Sequence, residues 1–229
     1  MFNAAHEKGP LTPGERNFTV FFATIVLALF VAEVVRDFKP IKLTILLILL
    51  IWIPLLALHE AGHAVVAALL GWYVGRVVIG VGRLVAKFRV GTAIVEIRLL
   101  PLEGYVLPQP RNLRAPRLKS ALIYFAGPGA ELLLLAIVAA ILGPSTLLTH
   151  SENIGIMAAQ ALGVAVLFSA FCNLVPHAVD MPGGRVANDG LGIIRSFSLP
   201  DSHFAEMIAH QPDVETEEWA EEEDDWGKR

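Results

Sequence analysis

"LLALHEAGHAVVAALLG", residues 55–71, is an apolar run that holds two histidines and a glutamate. An ionisable side chain near the centre of a bilayer costs about 3 kcal/mol or more, so one found there marks a function. Everything depends on whether the run is a membrane helix, and composition says that it is. Of 229 residues, 55% are hydrophobic and only 17% charged, with a mean hydropathy of +0.58. Soluble domains carry about 25% charged residues. A helix crosses a bilayer with roughly 17–25 apolar residues. Four segments have that length: Phe18 to Val35, about Leu43 to Leu70, Ala121 to Gly143, and Ile154 to Leu174. The expected fold is mainly α, a polytopic membrane protein of about four transmembrane helices.

Around this core, residues 1–17 read as an N-terminal cytoplasmic segment, 18–195 as the membrane domain and 196–229 as a C-terminal segment. The first helix follows Lys8 and Arg16 without a small-x-small cleavage site, so it reads as retained rather than as a signal peptide. Net charge is -4, but residues 213–229 hold nine acids and two bases. Such a tail is expected to be disordered and solvated, with a protein partner as its alternative use. No basic stripe points to nucleic acid. The single cysteine, Cys172, excludes an intrachain disulfide and reads as a buried thiol. The connection from Gly71 to Ser120 carries nine Lys and Arg, and that from Pro144 to Asn153 carries none. The positive-inside rule therefore puts the long connection in the cytoplasm. Arg36, Lys39 and Lys42 run against this topology.

His59-Glu60-Ala61-Gly62-His63 is an H-E-x-x-H motif. On a helix, positions i and i+4 share a face, so both imidazoles can reach one metal. Nitrogen ligands suit a tetrahedral zinc with one open position. Glu60, beside the first ligand, can act as general base on water that the metal acidifies. A purely structural His-Glu-His cluster in an apolar helix would be costly without further partners. A third ligand must come from elsewhere, and the other dense polar segment is residues 171–194. It offers His177, Asp180 and Asp189. Residues 76–108, rich in Val and Ile and broken by Gly, read as short strands inserted after the H-E-x-x-H helix.

Together these marks resemble the site-2 protease family of intramembrane zinc metalloproteases over roughly residues 43–195. They are "HEAGH" in a membrane helix, "LPLEGYV" (101–107), "AGPGAE" (126–131), and "NLVP" followed by "NDG". The resemblance implies one zinc per chain held by His59, His63 and the Asp of an Asp-Gly pair, here Asp189. It implies Glu60 as catalytic base and Asn173 as a residue that holds the substrate backbone or stabilises the oxyanion. It also implies that the strands beside the site bind an extended substrate by strand addition. The chain departs from the family at Pro182-Gly183-Gly184-Arg185, where Asp-Gly-Gly-Arg is usual, which keeps Asp180 in play. It departs again at Glu131, where Asn is usual. Glu131 could steer the site, relay protons or pair with an arginine, or equally be a paired structural carboxylate. The expected activity is an endopeptidase acting on membrane-anchored proteins, multi-pass in a bacterial cell membrane, with its active site towards the cytoplasm. The alternatives are a non-catalytic membrane scaffold or metal-binding protein with the same fold, and a zinc transporter. An intact Glu60 speaks against the first, and the lack of a polar path along the fourth helix against the second.

Overall fold

A computed structural model describes residues 13–36, 42–181 and 184–209. In chain order the elements are α1 (Pro13–Arg36), α2 (Leu43–Leu69), β1 (Tyr73–Val90), β2 (Ala93–Gln109), α3 (Pro116–Leu142), α4 (Pro144–Leu148) and α5 (Ile154–Leu174). A small hairpin, β3 (Ala178–Met181) and β4 (Gly184–Ala187), then leads to α6 (Asp189–Ser198) and α7 (Asp201–Ala209). The acidic tail, residues 213–229, lies outside the described residues, as do residues 1–12 of the N-terminal segment.

Three helices, α2, α3 and α5, are long and apolar enough to cross a membrane. At 1.5 Å per residue the 27 residues of α2 extend about 40 Å. Of the about four spans expected from the sequence, these three are found among the described residues, and the count of four is not confirmed. Helix α1 spans Pro13–Arg36, 24 residues. The outward faces are apolar: Leu50, Leu69, Leu133, Ile141 and Phe171 are each more than 60% exposed. In water such a surface would aggregate; in lipid it is the matching solvent, and the helices satisfy their own backbone hydrogen bonds there.

Local chemistry sets the helix ends. Pro116 opens α3 at a position where a missing N–H costs nothing. Gly143 closes it with φ +84°. The Asn153 side chain caps α5 by accepting from the backbone N–H groups of Gly155 and Ile156 at 2.9 and 3.2 Å. Gly62 lets α2 and α3 touch, since a Cβ there would stand 2.5 Å from the Ala126 carbonyl oxygen. On its other side α2 packs Leu55 against Ala165 and Val166 of α5.

Strands β1 and β2 pair in a hairpin that folds back on itself: residues 84–90 run antiparallel to 93–98 across the two-residue turn Gly91-Thr92, with Gly91 at φ +59°, while residues 76–79 pair with both 94–97 and 104–107. Register shifts along it allow it to twist. The hairpin joins the end of α2 to the start of α3, so its root lies at one end of the helices. There Trp72, Val74, Val77 and Ala93 pack with Ala67, Ile123 and Phe204, the last contributed by α7. Glu96 is buried in β2 and takes hydrogen bonds from Arg76 Nε at 2.8 Å and Arg98 Nη2 at 2.7 Å. Burial alone would raise its pKa; the guanidiniums of Arg98 and Arg76 outweigh burial and hold the carboxyl below the usual range.

Candidate metal centre

Helix α2 brings His59, Glu60 and His63 to buried positions, the two imidazoles against α3 and Glu60 against β2. The two imidazole Nε2 atoms lie 3.1 Å apart. Their other nitrogens decide the tautomers. His63 Nδ1 is 2.6 Å from the carbonyl oxygen of Ile123, which can only accept, so it carries a proton. His59 Nδ1 is 3.2 Å from Glu131 Oε1 and donates likewise. Both Nε2 lone pairs are thus left aimed at one point. Asp189 adds a carboxylate there, with Oδ2 3.0 Å from His59 Nε2 and Oδ1 3.4 Å from His63 Nε2. Acceptors that converge in a buried site repel one another unless a cation sits between them. The three ligand atoms lie within 4.8 Å of one another, so the group could hold a metal ion. Two nitrogens and one oxygen suit zinc and leave one tetrahedral position open.

Space for an ion is built into α3. A Cβ on Gly127 would stand 2.3 Å from His63 Nε2 and 2.6 Å from His59 Nε2. Gly127→Ala is therefore expected to lower zinc affinity about 10- to 100-fold, the equivalent of the roughly 1–3 kcal/mol that an overpacked contact costs. Zinc titration of the purified variant measures this, and unchanged affinity would mean that the imidazoles do not need that space.

Asp189 is placed by its neighbours. The Asn188 amide donates to the carbonyls of Asn173 and Val175 at 2.9 and 2.7 Å. Its Oδ1 accepts from the backbone N–H groups of His177 and Leu191, both at 3.0 Å. One side chain thus ties the end of α5 to the first turn of α6 and caps that helix. Gly190 completes the joint, because a Cβ there would lie 2.1 Å from the Leu174 carbonyl oxygen. An Asp-Gly pair is needed here because the carboxylate must reach the imidazoles while the next residue touches bare backbone.

The other expected residues fall as follows. Glu60 is 4% exposed, and β2 passes over it: a Cβ on Gly104 would lie 2.6 Å from Glu60 Oε1. Asn173 lines the same cavity, of about 860 Å³, as do Glu60, His59 and Asp189. His177 is exposed, bonds to the Val175 carbonyl and Asn188, and is not in the ligand group. Asp180 lies in β3, in register with Arg185 of β4. Glu131 pairs with His59 and Ser169 rather than with an arginine. The sequence reading missed Ser169 and the space made by Gly127. Ser169 precedes Asn173 by one helical turn, and that i, i+4 spacing was the available signal.

The model of peptidase family M50 matches residues 45–150, which run from α2 through the hairpin to α4. Asn173 and Asp189 lie beyond that stretch, so their place at the site rests on geometry. No curated protein matches the chain.

Proposed function

We propose that this chain, a member of peptidase family M50 by its residues 45–150, is an intramembrane zinc endopeptidase that cuts membrane-anchored proteins. One observation carries the reading: two imidazole lone pairs and a carboxylate converge beside buried Glu60, in a chain with three membrane-length apolar helices. His59, His63 and Asp189 hold one zinc per chain. Bound zinc supplies Lewis acidity, which polarises the scissile carbonyl and acidifies water. Glu60 takes the proton from the attacking water at its carboxylate. It returns that proton to the amine nitrogen as the C–N bond breaks. The substrate must be extended, because a helical peptide bond is shielded, and β2 runs along the cavity where an extended chain could add to it. Asn173, on the cavity wall, holds the substrate backbone. A scaffold or simple metal store would have no use for a buried carboxylate next to the residues that would hold the metal.

The test uses purified protein in detergent with a single-span substrate. One zinc per chain and cleavage within or near the span are expected. A strong chelator should abolish cleavage, and zinc should restore it. Cleavage that persists without metal would overturn the zinc mechanism. A zinc-loaded wild type that cuts no membrane substrate would favour the scaffold. The active site is assigned to the cytoplasmic side by the cationic connection between α2 and α3. Cysteine labelling should therefore find residues 76–119 on that side and 144–153 on the other; the reverse pattern would invert the protein.

A further inference from the structure

A short chain of hydrogen bonds leads from the metal ligands to the cavity wall, and each bond in it has a direction. Glu131 is 1% exposed, and its Oε1 receives both His59 Nδ1 at 3.2 Å and the Ser169 hydroxyl at 2.9 Å. A serine has one hydroxyl hydrogen. With that hydrogen committed to Glu131, Ser169 Oγ can only accept from its other neighbour. That neighbour is Asn173, one turn farther along α5, whose Nδ2 lies 3.3 Å away. The NH2 end of the Asn173 amide must then face Ser169, and the carbonyl end must face away. Asn173 lines the cavity, and its Oδ1 is not among the buried atoms left without a partner.

We infer that Glu131 and Ser169 are positioning residues that fix the polarity of Asn173, so that it offers the cavity a carbonyl acceptor for a backbone N–H of an extended peptide. This rests on the endopeptidase reading for its ligand, but it adds a direction to it. Asn173 reads an N–H of the chain on either side of the scissile bond rather than donating to the oxyanion. An amide without a fixed neighbour turns over at little cost and would read either group. The receiver must accept at one oxygen from both neighbours, as Glu131 Oε1 does. The same oxygen orients His59, so the metal ligand and the substrate contact share one buried anchor.

The experiment measures binding, so that it does not depend on turnover. Zinc-loaded Glu60→Gln protein is titrated with a fluorescent single-span peptide. The titration is repeated with peptides in which one backbone N–H at a time, around the scissile bond, is replaced by an ester oxygen. One ester position is expected to weaken binding about 5-fold, the size of a lost neutral hydrogen bond. Adding Ser169→Ala should shrink that preference to less than about 2-fold while zinc stays at one per chain. Glu131→Leu should shrink it too, and Glu131→Gln should retain it, because its Oε1 can still accept both donors. The inference is overturned if no ester position weakens binding. It is also overturned if the preference survives Ser169→Ala, or if Ser169→Ala loses its zinc. A wild type that prefers the amide peptide yet never cleaves it would sink the endopeptidase reading and leave this one standing. A cleaving wild type blind to every ester would do the reverse.

Discussion

Glu60→Gln is expected to retain one zinc per chain and to lower cleavage of a single-span substrate by about 100-fold or more. The substitution keeps the shape of the side chain and removes its ability to take a proton. Glu60 is not in the ligand group, so the metal should stay. The amide also fits where the carboxylate did, in the narrow space under Gly104, so loss of fold is not a competing explanation. Metal analysis and a cleavage assay on the same preparation decide the matter. If cleavage survives within about 10-fold, Glu60 is not the base, and another acceptor on the cavity wall must take its place. If zinc is lost with activity, Glu60 contributes to holding the metal and the ligand set needs revision.

The second large effect separates two aspartates. Asp189→Ala should abolish stoichiometric zinc and cleavage together. It takes the only carboxylate from the ligand group and leaves two imidazole lone pairs facing each other. The loss should exceed the roughly 10- to 100-fold that follows removal of an outer hydrogen-bond partner. Asp180→Ala should leave zinc affinity within about 2-fold, as substitutions outside a ligand group usually do. Asp180 lies in a hairpin strand opposite Arg185, whereas Asp189 opens a capped helix locked to α5 through Asn188. A ligand on a rigid element holds its geometry better than one on a short hairpin. Zinc titration of both variants is the measurement. Loss of zinc in Asp180→Ala with retention in Asp189→Ala would reverse the assignment.

Local spacing sufficed for part of this site. His59, Glu60 and His63 sit within one and a half turns of a helix, so their common face follows from 3.6 residues per turn, whatever else the chain does. The apolar lengths of α2, α3 and α5 likewise follow from composition, because a bilayer tolerates little else. The cap that starts α6 could also be read, because Asn188 and the turn it closes are neighbours in sequence.

What no local pattern contains is which distant groups meet. Asp189 lies 126 residues beyond His63, and it reaches the two imidazoles only because Gly190 rests on the Leu174 carbonyl and α6 packs against α3 and α5. Glu131 read equally well as a steering group, a proton relay or the partner of an arginine. Its assignment to His59 and Ser169 came from the packing of α3 between α2 and α5. The space that Gly127 leaves beside the two imidazoles appears only when α3 is packed on α2. The physical reason is the same in each case. Periodicity and hydropathy act along the chain and are written in it. Burial of a carboxylate, by contrast, is stable only where donors or a cation from other elements arrive at the same point, and only the packed helices determine where that point is.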